Sequence, residues 1–179
     1  MLPHTAFSKR IDALLDVVGR TTSWIWLLLL AVIVINVTAR HLFSSGRVEF
    51  EELQWHLYSI GFLLGMSYAY QADSHIRVDV LHERFSPRLQ AWIELYGILL
   101  FMLPFVVLVI YYAIPFVASS WELSEISQSP GGLPYRWFIK GALPFGFVLL
   151  LLAVLSRLSR VWTALFGVAS QAEVKRHGH

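Results

Sequence analysis

The chain has 179 residues, 56% of them hydrophobic and only 15% charged, with a mean hydropathy of +0.59. A soluble domain carries about 25% charged residues, so the composition excludes that class and points to an integral membrane protein. The formal charge of +2 is too small to imply a nucleic-acid partner, and the lack of cysteine rules out disulfides, thiolate metal sites and cysteine nucleophiles.

Residues 1–20 are amphipathic. Phe7, Ile11, Leu14, Leu15 and Val18 recur at helical spacing, with Lys9, Arg10, Asp12, Asp16 and Arg20 between them. The pattern describes a helix in the headgroup plane, with a cytosolic extension of the first span as the alternative, and Gly19 is the expected hinge. No apolar core with a small-residue cleavage site precedes the first long apolar run, so that run is expected to stay in the mature chain.

The first span covers roughly residues 24–43, from Trp24 and Trp26 to Arg40 and His41. Asn36 lies near its far end, and an amide in lipid is costly unless paired, so Asn36 should face another helix. Ser44, Ser45 and Gly46 then turn the chain into an antiparallel partner. That second segment opens with Glu51 and Glu52, crosses the mostly apolar residues 53–70, and ends in a charged turn containing His75, Arg77 and Asp79. Gly61, Gly65 and Ala69 fall four apart within it, which strips one face of side chains and suits close helix packing.

Ser86-Pro87 reads as an N-cap followed by proline in the first turn. The third span starts there; taken to Trp121 as a helix it is about 50 Å long, more than the ~30 Å hydrocarbon core. It must tilt, project or kink, and Pro104 and Pro115 are the expected kinks. Residues 119–134 form the longest polar loop, broken by Pro130-Gly131-Gly132-Leu133-Pro134. The fourth span begins near Tyr135, Arg136 and Trp137, carries Lys140 and Pro144, and closes at Arg157 and Arg160. The expectation is therefore an all-α membrane protein: an interfacial helix over residues 1–20, a four-span domain over 21–166, and a polar, disordered tail over 167–179.

Basic residues set the orientation. Of fourteen, only Arg40, Arg47, Arg136 and Lys140 fall on one side of this arrangement. The excess on the other side predicts that both termini are cytoplasmic and that the loop at 119–134 faces outward.

Catalytic chemistry finds little support, since the chain contains no HExxH, no GxSxG and no Gly-rich phosphate loop. Glu49, Glu51 and Glu52 flank Arg47, which suggests salt bridges at a span entrance rather than a metal site. Of seven histidines only His56 lies within a span, near its end, and His41 is its one plausible partner for haem. A haem-binding anchor of a respiratory oxidoreductase thus stays as one alternative. A stand-alone small channel or exporter is another, disfavoured because every ionisable group sits near a span end.

Several pieces together carry a family resemblance: Asn36-Val37-Thr38-Ala39-Arg40, the Glu51-Glu52 pair, Gly65, His75-Ile76-Arg77-Val78-Asp79, and Pro144-Phe145-Gly146-Phe147. In this order around four spans the chain resembles the small membrane subunit (DctQ-like, Q component) of tripartite ATP-independent periplasmic (TRAP) transporters. Ser120-Trp121-Glu122, Glu125 and the loop through Lys140 resemble the subfamily labelled for mannitol or chloroaromatic compounds. The resemblance implies a bacterial inner-membrane, non-catalytic subunit that braces a large DctM-like membrane subunit and helps dock a DctP-like periplasmic solute-binding protein, for uptake of an organic acid. It implies no cofactor and no solute site in this chain, a sodium gradient used by the large subunit, and contact with membrane phospholipid. Arg47, Glu49, Glu51, Glu52, Glu122, Glu125, Arg136 and Lys140 are then the docking candidates on the periplasmic side. Asn36, Arg40, Gly61, Gly65, Arg77 and Asp79 are the candidates for packing or clamping in the membrane and at its cytoplasmic face.

Overall fold

The computed structural model describes residues 3–43, 46–73 and 85–167. These form long helices: α1 (Ala6–Phe43), α2 (Val48–Gln71), α3 (Pro87–Gly97), a π-helical turn (Ile98–Met102), α4 (Leu103–Glu122) and α5 (Arg136–Phe166). No strand occurs among the described residues.

Reciprocal capping starts α1. The Ser8 amide donates to Thr5 Oγ1 at 3.0 Å and the Thr5 amide donates to Ser8 Oγ at 3.1 Å, which satisfies donors that have no intrahelical partner. From there α1 runs 38 residues without a break. α1 continues through Gly19, where a hinge was expected, and residues 6–20 are its first part. Gly19 serves a close approach instead: a Cβ there would lie 2.4 Å from the ring of Tyr68 on α2. Ser8, Leu15, Thr22, Leu29 and Asn36 are all buried, and they recur at the heptad interval, which keeps one seam of a long helix turned toward its partners. Asn36 is only 5% exposed, so it faces a helix of its own chain.

α1 and α2 are antiparallel: Gly61 of α2 meets Trp26 and Ile25 of α1, and Gly19 meets Tyr68. α5 runs alongside α2 in the same direction, with Gly146 against Leu63 and Tyr70 in one cluster with Leu149 and Ala153. It touches α1, α2, α3 and α4. It also supplies much of the core, with Phe147, Leu149, Leu150, Ala153, Val154 and Val161 all buried.

Ser86 caps α3 as the sequence predicts, its hydroxyl accepting from the Leu89 amide with Pro87 next in line. The bend expected at Pro104 takes the form of the π-helical turn at Ile98–Met102. Proline has no N–H and its ring crowds the carbonyl four residues earlier, here Leu100, inside the turn that widens to receive it. Pro115 stays inside α4, which continues to Glu122.

Among the described residues, three helical stretches are long and apolar enough to cross a membrane: Ala6–Leu42, Pro87–Glu122 and Arg136–Phe166. α2 has the length, at 24 residues, but Gln54, His56, Ser59 and Ser67 lower its apolarity.

Candidate functional site

Polar side chains gather at the two ends of the bundle. One end, called here the loop end, holds the α1–α2 connection and the 123–135 loop. The other, the far end, holds the start of α1 and the end of α5.

At the loop end, Glu52 works as a latch. Its carboxylate accepts a hydrogen bond from Ser127 Oγ and another, at 2.6 Å, from the Leu133 amide. Those partners lie 75 and 81 residues further along the chain, so one side chain ties the loop to the start of α2. The loop is shaped to allow this. Gly131 has φ of +77°, and a Cβ on Gly132 would lie 2.4 Å from Ser127 and 2.8 Å from Glu52 Oε1, so neither position accepts a side chain without strain. Within the loop, the Ser127 amide donates to the Leu133 carbonyl and the Arg136 amide to the Glu125 carbonyl.

A second tie joins the loop to α5. Lys140 Nζ donates to Glu125, Arg136 Nε stands 4.0 Å from the same carboxylate, and Lys140 lies 4.2 Å over the Phe116 ring. The Ser127 hydroxyl and the Leu133 amide hold the Glu52 carboxyl below its ordinary value of 4.5. The Lys140 ammonium does the same for Glu125. Both carboxylates thus favour the charged form at neutral pH.

The candidates read from sequence divide accordingly. Glu52, Glu125, Arg136 and Lys140 are drawn together by the loop. Glu51 pairs with Arg40 across the α1–α2 hairpin, not with Arg47 as its sequence neighbourhood suggested. Arg47 is an N-cap residue without a side-chain capping bond and, like Glu49 and Glu122, is exposed. Glu51, Glu52, Trp55, His56, Val48, Ser129 and Arg136 line a polar cavity of about 300 Å³. His56 Nδ1 is engaged with the Glu52 carbonyl, and His41 is exposed. Among the described residues no cluster of three or more His, Asp and Glu side chains could hold a metal. Gly61 meets α1, but a Cβ on Gly65 would find nothing within 4 Å, so the small-residue face closes only in part within this chain. Arg77 and Asp79, with His75, lie outside the described residues.

The far end holds a network that the sequence did not reveal. Arg157 donates to Glu94 of α3 and stands 3.4 Å from Asp73 beyond α2. One turn on, Arg160 lies 3.7 Å from Asp12 of α1. Asp12 also accepts from Ser156 Oγ at 2.7 Å and has His4 at 3.8 Å. Thr5 and Ser159 hydroxyls meet at 3.1 Å. The Arg157 and Glu94 side chains are only 11% and 18% exposed, so this pair is screened far less than a surface pair. Arg157 and Arg160 read in sequence as charges closing a span; their spacing on one helix face and the early carboxylate Glu94 were the available signal.

Among the described residues the chain is all-helical, with three helices long and apolar enough to cross a bilayer, and its ion pairs lie at the two ends of the bundle. A family model described as "Tripartite ATP-independent periplasmic transporters, DctQ component" matches residues 29–164, and the chain belongs to that family. It is therefore a small membrane component of a TRAP transporter and not an enzyme. A comparison with curated proteins finds no match.

Proposed function

We propose that this chain is the static brace of its transporter and part of the platform on which the solute-binding protein lands, in the uptake of an organic acid driven by an ion gradient. In this reading α2 is a fourth span, its polar residues turned toward α1 and α5, and both termini are cytoplasmic. The loop end is then periplasmic and the far end cytoplasmic. The long, unbroken α1 fixes the footprint, with its first turns near the headgroups. Sodium passes through the large membrane subunit, and the loop sequence from Ser120 to Lys140 favours the subfamily labelled for mannitol or chloroaromatic compounds.

The observation that carries the docking role is the doubly tied loop. Glu52 and the Glu125–Lys140 pair hold a loop of 123–135 in one shape, and order set in advance lowers the entropy cost of binding a partner. Around it Arg47 and Glu49 remain exposed. Charges of this kind steer encounter and fix register more than they add affinity.

The test is solute uptake into vesicles carrying both membrane subunits, with the binding protein added at sub-saturating concentration. Arg47→Glu or Glu49→Lys should slow uptake, and the difference should shrink at high salt. Unchanged uptake in both variants at low salt would remove the docking role.

A further inference from the structure

Where α4 ends, five of its residues and one from α5 line a shallow, open apolar cleft. Ile114, Val117, Ala118, Trp121 and Glu122 lie on one face of α4, at helical spacing, and Pro144 completes the lining; the volume is about 390 Å³. Such a volume is at the lower end for small-ligand cavities, suited to one hydrocarbon chain rather than a whole lipid. Both helices belong to stretches able to cross a membrane, and the cleft sits at their loop-end limit, which the proposed function places at the border between hydrocarbon and headgroups.

Glu122 is the one charged group in the lining. It is the last residue of α4, is exposed, and forms no ion pair among the described residues. The cations closest in sequence on α5 are committed elsewhere, Lys140 and Arg136 both to Glu125. A lone carboxylate on the rim of an apolar cleft, at the edge of the bilayer, is complementary to a molecule with an alkyl chain and a cationic head.

We propose that this cleft binds one acyl chain of a phospholipid whose headgroup is a primary ammonium, with that ammonium against the Glu122 carboxylate. Anionic headgroups are disfavoured by the same charge. The cleft extends over only two turns of α4, about 12 Å, which is short for a packed transmembrane helix but sufficient for the upper part of an acyl chain. The site is independent of the docking role of the loop.

The test uses the full-length chain in mild detergent, titrated with phosphatidylethanolamine or with phosphatidylglycerol of identical acyl chains, and native mass spectrometry of the lipid retained. The wild type should retain one phosphatidylethanolamine with about threefold to fivefold preference, the size of an exposed ion pair. Glu122→Gln should bring the preference close to unity. Ala118→Trp, at an exposed position, fills the cleft, leaves the carboxylate in place and should lower retention of both lipids. Equal retention of the two lipids by the wild type, or an unchanged preference in Glu122→Gln, overturns the proposal. Loss of the lipid when the large membrane subunit is present overturns it too, since the cleft would then be a protein contact.

Discussion

At Gly146 α5 comes close to the backbone of α2, and adding one methyl group there tests that packing. An alanine Cβ would sit 2.9 Å from the Leu63 carbonyl oxygen, 3.0 Å from Leu63 Cβ and 3.1 Å from its carbonyl carbon. Two of these atoms are backbone, so no rotamer change relieves the contact and the helices must separate. Alanine gains up to about 1 kcal/mol over glycine in a helix interior, while forcing a group into a packed contact costs about 1–3 kcal/mol. The contact should win, leaving Gly146→Ala about 1 kcal/mol less stable and its Tm lower by roughly 2–4 °C. Gly65→Ala is the internal control. With nothing within 4 Å of the new Cβ, only the propensity gain remains, and Tm should rise by a similar amount. Thermal unfolding of the detergent-purified variants, followed by loss of the monodisperse peak, reads both. Gly146→Ala at or above wild-type Tm would mean that the close approach between α2 and α5 is absent.

The latch should fail in acid. The folded Glu52 and Glu125 carboxyls lie below their ordinary value of 4.5, so their contribution is complete above that value and is lost as pH falls through the lower folded one. The chain has no cysteine, so a nitroxide on Gln128→Cys reports on the loop alone: it should stay immobile at neutral pH and become mobile only below about 4.5. The same label with Glu52→Gln should be mobile at neutral pH; an immobile label there would dismiss the latch. At the far end, Arg157→Met leaves Glu94 and Asp73 without the guanidinium they share and should cost about 2–3 kcal/mol, between the values for exposed and buried pairs. Arg157→Met with Glu94→Leu should recover part of that loss in chemical unfolding. An equal or larger loss in the double variant would exclude a mutual pair.

The sequence discloses what depends on local spacing. Long apolar runs mark the helices, Ser86-Pro87 marks the start of α3, and Pro104 marks an irregularity within the third long stretch. Its π-helical form was not legible, because proline states that a bond is lost and not how the helix absorbs it. Gly61 and Gly65 look alike in sequence, yet only Gly61 meets α1; the outcome depends on which way each faces in the folded bundle. The heptad seam of α1 is not legible in hydropathy alone, because serine, threonine and asparagine alternate with leucine along it. Glu52 was a candidate for its position beside other charges, but its partners come from a loop far along the chain. Arg157 was hidden likewise: three separate elements must fold before Glu94 and Asp73 reach it.

If this chain braces a large membrane subunit, the two should assemble when co-expressed. The chain is affinity-purified in mild detergent and the mass of what elutes is measured. A brace should give a stable one-to-one complex that survives size-exclusion chromatography. A chain that elutes alone, folded and monodisperse, with the large subunit expressed but left behind, would contradict it.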